Sequence, residues 1–570
     1  MTEKQWKTYP QPTADIVKQI SESINVSRIP ATVLAQRNII TFEQAKAFFR
    51  PSLNDLHDPF LMKDMDKAVE RLSKAIAEKE KILIYGDYDV DGTTSVALVY
   101  GFLRALYSAE RLDFYVPDRY KEGYGISKKS IDWAVAEGFS LVIALDCGIK
   151  SVELVAYARE KGLEYIICDH HLPGNEIPNA VAVLDAKRKD CPYPYKELSG
   201  CGVGFKFMQA YCQKHQIDLQ KLYDFLDLLV VSISADIVHM TGENRVLSFF
   251  GLERLNDAPR LGLNALKEVA GFAPEKKLNI RNVVFGLAPR INAAGRIEHA
   301  KKAVQLLLCE DPAEASHWAE LINQDNSQRR DLDSNITQQA LQMIVDQGWE
   351  NHKSTVLFNP EWHKGVIGIV ASRCIETYYR PTIILTQENG KVSGSARSVE
   401  GFDLYHALEH CADVLEQFGG HMHAAGMSLK PENVDKLRAK FEEIVSSQIT
   451  QEQQIPTINI DAWVEISELT LKMHQIIMQL SPFGPLNMQP TFAAKNLITE
   501  NPQILKEQHL KMRIKQPNHT AYIDAIGFGM AHFYPIVAAG KPFQMAFQTE
   551  INEFQGNTTL QLMIKDIKPM

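Results

Sequence analysis

No apolar run in this 570-residue chain is long enough to span a bilayer as a helix, which excludes a helical membrane protein. A basic excess is missing too. With 61 Lys and Arg against 70 Asp and Glu the formal charge is −9, which excludes a surface coated in positive charge for nonspecific duplex binding but leaves room for a local basic groove. The eight cysteines contain no C-x-x-C pair and no zinc-ligand spacing, so they read as reduced, mostly buried thiols. The opening residues MTEKQWKTYPQPTADI lack the apolar core of a signal peptide, so a cytoplasmic protein is expected. No internal repeat or heptad seam suggests an oligomer, and a monomer is expected.

What the chain does have is a concentration of carboxylates at one place. Residues 81–95 read KILIYGDYDVDGTTS, an apolar run that stops at Asp87, Asp89 and Asp91 before Gly92. Carboxylates this close stay ionised together only if cations or hydrogen-bond donors compensate them. A calcium loop also opens D-x-D-x-D-G, but it needs a bidentate Glu at its twelfth position. Counted from Asp87 that position is Leu98, and the preceding Ile82-Leu83-Ile84 is β-type rather than helical. The other simple reading is a solvated acidic turn.

At about 150 residues per domain the length suggests three or four domains. From Met62 to Leu184 strand and helix patterns alternate: strands at Lys81–Tyr85, Leu112–Val116, Leu141–Leu145, Tyr165–Cys168 and Ala180–Leu184, and helices at Asp66–Ala77, Thr93–Leu106, Lys128–Glu137 and Ser151–Lys161. Such β-α-β spacing predicts an α/β fold with a parallel sheet covered on both faces and ligands at the carboxyl ends of its strands. The polar residues obey that rule. The first strand runs into Asp87, Asp89 and Asp91, the third into Asp146, and the fourth into Asp169-His170-His171. Each alone fits a capping or turn residue, but three strands delivering metal-ligand types to one edge is hard to explain structurally. Asp236 follows the apolar segment Leu226–Ile233, for which periodicity does not separate buried helix from strand. Buried beside apolar neighbours, it needs a partner or a cation.

Residues 301–349 read as a long helical connector interrupted by the polar stretch Asn323–Asp331. A second α/β unit follows, with strands at Thr355–Phe358 and Thr382–Leu385 and glycine-rich turns at Gly394–Ser398 and Phe418–Gly426. From about Ile455 the pattern is β-rich and compatible with a small barrel. Mixed Asp and His ligands suit a first-row divalent ion, Mn²⁺ especially, with Mg²⁺ content with fewer carboxylates. Five or six ligands exceed the needs of one ion, whereas two ions about 3.5–4 Å apart would clamp the attacking and leaving oxygens of an in-line displacement at phosphorus.

Four ordered segments, GDYDVDG, ALDCG at 144–148, CDHH at 168–171 and SADIV at 234–238, resemble the motifs of DHH phosphoesterases. Further on, LAPRINAAGR at 287–296, HKGVIGIVASR at 363–373, GSARS at 394–398 and GGHMHAAG at 419–426 resemble the bacterial RecJ branch with its DHHA1-type lobe, and the likeness covers nearly the whole chain. It implies an N-terminal segment (1–60) packing on a catalytic DHH domain (61–300), a connecting helix (301–349), a smaller α/β DHHA1 domain (350–450) and a C-terminal OB-type β-barrel (455–570). It also implies a 5′→3′ exonuclease for single-stranded DNA, using Mn²⁺ or Mg²⁺ in recombination and repair, with a single-strand-binding protein and a RecQ-type helicase as partners. A narrow channel between lobes would admit one strand and exclude a duplex.

Residue by residue, the resemblance implies that Asp146 bridges two ions, that Asp87 and Asp89 complete one site and that Asp91, His170 and Asp236 complete the other. His171 would face the scissile phosphate. Phosphatase branches carry a His ligand where this chain has Tyr85, and the RecJ branch supplies Asp87 instead. Ser395 and Arg397, with Arg119 and Arg290, would hold the 5′-terminal phosphate, and Asn292, Arg296, His363, Arg373 and His421 join the substrate cleft. Tyr120 and Tyr124 stack unpaired bases or pack beneath a glycine turn, and Phe528 or Phe533 offers a stacking platform on the barrel. Two other readings share these motifs: a DHH phosphodiesterase for short oligonucleotides or cyclic dinucleotides, and a non-catalytic scaffold. The long connector and the C-terminal unit disfavour the first, and the complete set of carboxylates and histidines disfavours the second.

Overall fold

Five short apolar runs form one parallel sheet: β1 (Ile82–Gly86), β2 (Leu112–Tyr115), β3 (Leu141–Leu145), β4 (Glu164–Cys168) and β5 (Ala182–Leu184), in the order β2-β1-β3-β4-β5. Every residue of β1 and β3 is buried, as a sheet covered by helices on both faces demands. The two-residue period of a strand sorts them into two cores. Ile82, Ile84, Leu141 and Ile143 face one, and Leu83, Tyr85, Val142 and Ala144 face the other. The chain steps from β1 outward to β2 and then back across to β3, so the strand order reverses between β1 and β3. A crevice opens at their carboxyl ends, the place where open α/β sheets bind ligands.

The computed structural model of the protein describes residues 3–388, 390–517, 519–554 and 556–570. They fall into two compact units, one within residues 8–323 and 460–570 and one within residues 3–7 and 324–459. The segment that periodicity left open, residues 226–233, lies in a helix, Leu226–Ala235, buried among the helices Val90–Arg104, Gly200–His215 and Gly242–Asp257. A helix apolar on all sides is a core helix. No helix among the described residues is long and apolar enough to cross a membrane.

In the smaller unit, β6 (Thr355–Phe358), β7 (Thr382–Glu388), β8 (Lys391–Arg397), β9 (Gln417–His421) and β10 (Ala424–Leu429) form a mixed sheet in the order β9-β10-β8-β7-β6. Here two expectations are corrected. Gly394–Ser398, read as a turn, lies in strand β8 as far as Arg397, and Phe418–Gly426 is a hairpin whose turn is confined to Met422–His423: Gly394 sits opposite Met427, and Ser395 opposite Gly426. Glycine weakens a strand but does not end it when both neighbours supply backbone partners. The polar stretch Asn323–Asp331 does not interrupt the connector either. One 35-residue helix, Pro312–Asp346, runs through it. Polarity does not break a helix in the absence of internal Gly or Pro.

The C-terminal strands β11 (Phe492–Leu505), β12 (His509–Lys515), β13 (Ile523–Gly527), β14 (Phe543–Phe554) and β15 (Asn557–Pro569) close into a barrel, because β11 pairs with both β12 and β14. Its core corrects the placement of the N-terminal segment. Ile20, Ile29, Val33 and Leu34, from the helices Ala14–Ile24 and Arg28–Gln36, are buried together with Phe492, Phe543 and Phe547 of the barrel. These helices serve the barrel, while Leu53 and Leu56 pack on the catalytic core. Sequence order does not reveal this, because the two partners are more than 400 residues apart.

Two buried cations fasten the neighbouring pieces. Arg245 donates to the carbonyls of Phe48 (2.7 Å) and Ser481 (3.0 Å). Lys206, fully buried, donates to the carbonyl of His57 (2.6 Å) and to Glu243 (3.1 Å), whose other oxygen accepts from Tyr193 (2.6 Å). Removing one member leaves the other charge buried and uncompensated. Lys206→Met is therefore expected to lower the unfolding free energy by about 3–5 kcal/mol, measured by urea denaturation.

Candidate metal centre

The centre is built where β1, β3 and β4 end. After β1 the backbone turns back on itself before the helix Val90–Arg104, and a Cβ on Gly92 would lie 2.4 Å from the Asp87 carbonyl oxygen. Only glycine permits that approach. Asp89 caps the helix by accepting from the Gly92 N–H (3.0 Å). Asp146, directly after β3, sits in the left-handed region at φ 58°. The helix Gly200–His215 starts against it, and a Cβ on Gly200 would come within 2.6 Å of the Asp146 Cβ.

Three groups of donor atoms result, each lying within 4.8 Å of one another: Asp87, Asp89 and Asp146; Asp91, His170 and Asp236; Asp146, His170 and His171. His170 Nε2 is 3.2 Å from Asp146 Oδ1, 3.6 Å from Asp236 Oδ2 and 3.7 Å from Asp91 Oδ2, so the first two groups adjoin through Asp146. Burial, reinforced by the neighbouring carboxylates, pushes Asp87, Asp146 and Asp236 well above the usual carboxylate range and raises Asp89 as well. Burial also lowers His170, which favours the neutral imidazole that can ligate a metal. Asp87 Oδ1, Asp146 Oδ1 and both His170 ring nitrogens are buried without a hydrogen-bond partner. Buried acceptors crowded together and lacking donors are what divalent cations satisfy, so the residues present fit a pair of such ions.

Asp91 and His171 differ from the rest. Asp91 accepts from the N–H groups of Gly200 (2.7 Å) and Cys201 (2.9 Å) and from the Ser232 hydroxyl (2.7 Å), at the positive end of a helix. That leaves it little capacity beyond one further contact. His171 stands outward, and its Nδ1 lies 2.7 Å from Asp169. Asp169 is buried and also accepts from the N–H groups of Ile149 and His170. Burial opposes both charges, but the hydrogen bond and ion pair between the two residues outweigh it, holding Asp169 down to about 2 and His171 up to about 9.

The sequence marks Asp169 only as a ligand-type residue at its strand end, whereas the structure shows it orienting His171. Ser232 and the N–H groups of Gly200 and Cys201 carry no residue-type signal at all. Tyr85 is buried in the core, and its hydroxyl donates to the Gly125 carbonyl (2.7 Å).

The expected substrate residues are placed as follows. In the larger unit, the Arg119 guanidinium lies 4.8 Å above the Tyr88 ring, and the Tyr124 hydroxyl is 3.4 Å from the His171 ring. The Tyr120 hydroxyl donates to the Arg296 carbonyl. Arg290 donates to Asn323 (2.9 Å) and to the Gly286 carbonyl (2.6 Å), and Asn292 and Arg296 share its helix, Ala288–Ile297. Phe528 is exposed beside His509, and Phe533 packs on the barrel core. In the smaller unit, Arg397 donates to Ser395 (3.1 Å) from strand β8, and Arg373 pairs with Glu376 (3.2 Å). His363 accepts from the Gly365 N–H and His421 from the His423 N–H. Beside the metal-ligand types one further residue stands out. Ile237, directly after Asp236, has φ 57° with its side chain exposed. A left-handed conformation costs a non-glycine residue about 1–2 kcal/mol.

A doubly covered parallel sheet whose strand ends gather carboxylates and imidazoles at the switch point, joined to a second α/β unit and a barrel, defines a DHH-type phosphoesterase. Residues 81–233 match the N-terminal domain of the DHH family, residues 351–447 the DHHA1 domain and residues 460–566 the RecJ OB domain. Over 560 residues the chain is 39% identical to the single-stranded-DNA-specific exonuclease RecJ of Bacillus subtilis, covering 98% of this chain and 70% of that protein. Over 526 residues it is 32% identical to the RecJ of Escherichia coli, covering 89% and 90%. The crystal structure of Thermus thermophilus RecJ in complex with Mn²⁺ superposes with a TM-score of 0.85 at 26% identity, over 99% of this chain and 80% of that one. The chain belongs to the RecJ family.

Two measurements check the geometry. Gly200→Ala drives a methyl group into Asp146 and is expected to weaken Mn²⁺ binding at least about tenfold, read by calorimetric titration. Asp169→Asn leaves the metal-ligand types intact, so Mn²⁺ affinity should stay within about threefold of wild type, while the His171 imidazole, followed by NMR, titrates well below about 9.

Proposed function

We propose that the protein hydrolyses single-stranded DNA from its 5′ end with the centre formed by Asp87, Asp89, Asp91, Asp146, His170 and Asp236. The observation that carries this is the pair of adjoining donor groups, Asp87-Asp89-Asp146 and Asp91-His170-Asp236, at the carboxyl edge of the sheet. The chemistry supplied there by two bound divalent cations, Mn²⁺ or Mg²⁺, is Lewis-acid stabilisation of the attacking and leaving oxygens at phosphorus. Asp146, which adjoins both groups, would be held in common by the two ions. The helix N-terminus and Ser232 fix Asp91, so the second group keeps its geometry before substrate arrives.

His171 does not need to ligate. Held by Asp169 and facing outward, it presents its ring to a phosphate oxygen of the substrate, with the Tyr124 hydroxyl alongside. Arg119, Arg290, Asn292 and Arg296 are assigned to the strand near the centre. In the smaller unit Ser395 and Arg397 offer a hydroxyl and a guanidinium to a phosphate, with His363, Arg373 and His421 as further polar contacts. We assign the protein to the cytoplasm as a monomer, acting in recombination and repair beside a single-strand-binding protein and a RecQ-type helicase. The domain limits proposed are 61–300 for the catalytic domain, 350–450 for the DHHA1 domain and 455–570 for the OB-type domain.

The test is polarity and dependence on the shared ligand. With Mn²⁺, a 5′-phosphorylated single strand carrying a 3′ label should shorten from the 5′ end, and a duplex or a dinucleotide should be a poor substrate. Asp146→Asn should lose at least about a hundredfold in rate. Shortening from the 3′ end, preference for the dinucleotide, or full activity in the variant would each refute the proposal.

A further inference from the structure

Ile237, Leu172 and Tyr124, each next to a residue of the metal centre in sequence or by hydrogen bond, are 63%, 69% and 55% exposed. Single exposed apolar residues need no explanation. These three each adjoin a member of one polar cluster: Ile237 follows Asp236, Leu172 follows His171, and the Tyr124 hydroxyl reaches the Asp146 carbonyl (3.2 Å) and the His171 ring. Ile237 carries a second, independent observation. It is the first residue beyond the helix end at Asp236, a position where the left-handed conformation ordinarily falls to Gly or Asn. A β-branched side chain there is strained by the backbone and exposed to water at once, so neither folding nor solubility favours it. Strain of this kind collects at functional sites.

We propose that Ile237 is a specificity-determining residue, whose exposed side chain, with those of Leu172 and Tyr124, seats the base of the nucleotide adjoining the scissile phosphate. This rests on the exonuclease function proposed above. Every base has an apolar face, so such a seat reads no sequence, as a processing nuclease requires. In a duplex the same face is covered by its stacked neighbours and the base edge by its partner. The seat therefore accepts unpaired nucleotides and contributes to strand selection at the centre itself. It also sets the scissile phosphate in register with the metal-ligand carboxylates by holding the nucleotide at its base.

Two substitutions at one position separate side-chain chemistry from backbone strain. Ile237→Asn adopts the left-handed conformation readily and is polar, whereas Ile237→Val keeps both the strain and the apolar surface. Two 5′-phosphorylated single strands are compared with Mn²⁺, one with ordinary bases and one abasic at its first two positions. Wild type is expected to have a KM about tenfold lower for the base-bearing strand. Ile237→Val should keep that ratio. Ile237→Asn should bring it to about one, mainly through KM rather than kcat, and its thermal midpoint should not fall below that of wild type. A ratio unchanged in Ile237→Asn, or lost equally in Ile237→Val, overturns the assignment, as does a lowered midpoint with parallel loss on both strands. Wild type degrading both strands equally also overturns it while leaving the exonuclease function standing. Wild type degrading neither from the 5′ end overturns that function itself.

Discussion

The mutual repulsion of buried carboxylates is the constraint on which the rest of this protein depends. Asp87, Asp89, Asp146 and Asp236 are all driven toward the protonated form by burial and by each other, and the fold offers few donors to relieve them. Asp91 takes two N–H groups at a helix end and a serine hydroxyl, and Asp89 one N–H. The remaining acceptors are left for cations. Either protonation or bound cations relieve the charge, so cation binding and proton release are coupled at this site.

The sheet topology makes the crowding possible. Strand order reverses between β1 and β3, and the residues following β1, β3 and β4 converge at the carboxyl ends of the strands. Close approach is then secured by the absence of side chains at two positions. Gly92 lets the loop after β1 fold against the Asp87 carbonyl, and Gly200 lets a helix N-terminus press on Asp146. His171, held by Asp169, is turned outward, unlike the buried His170 beside it. Ile237, Leu172 and Tyr124, next to Asp236, to His171 and to the Asp146 carbonyl respectively, are exposed.

Much of the catalytic domain was legible beforehand because both signals in it are local. Buried parallel strands announce themselves as short apolar runs, and an acidic or histidine residue directly after each run marks the sheet edge. The smaller unit was less legible. Gly394 and Gly419–Gly420 suggested turns, whereas pairing with neighbouring strands makes them sheet, a decision taken by partners distant in sequence. Polarity at Asn323–Asp331 suggested a break that the continuous helix does not have. The N-terminal helices were expected on the catalytic domain and instead complete the core of the barrel, a pairing that no periodicity encodes.

The sequence by itself determined the α/β class, the ligand types, their order along the chain and their position at strand ends, since each follows from residue chemistry and period. Only the tertiary structure decided that Asp91 is tied down by a helix end and Ser232, that Asp169 orients His171, and that Ile237 is both strained and exposed. The reason is physical. Hydrogen bonds from backbone N–H groups, and distances between residues a hundred positions apart, depend on where the chain returns to in space rather than on which residues it contains.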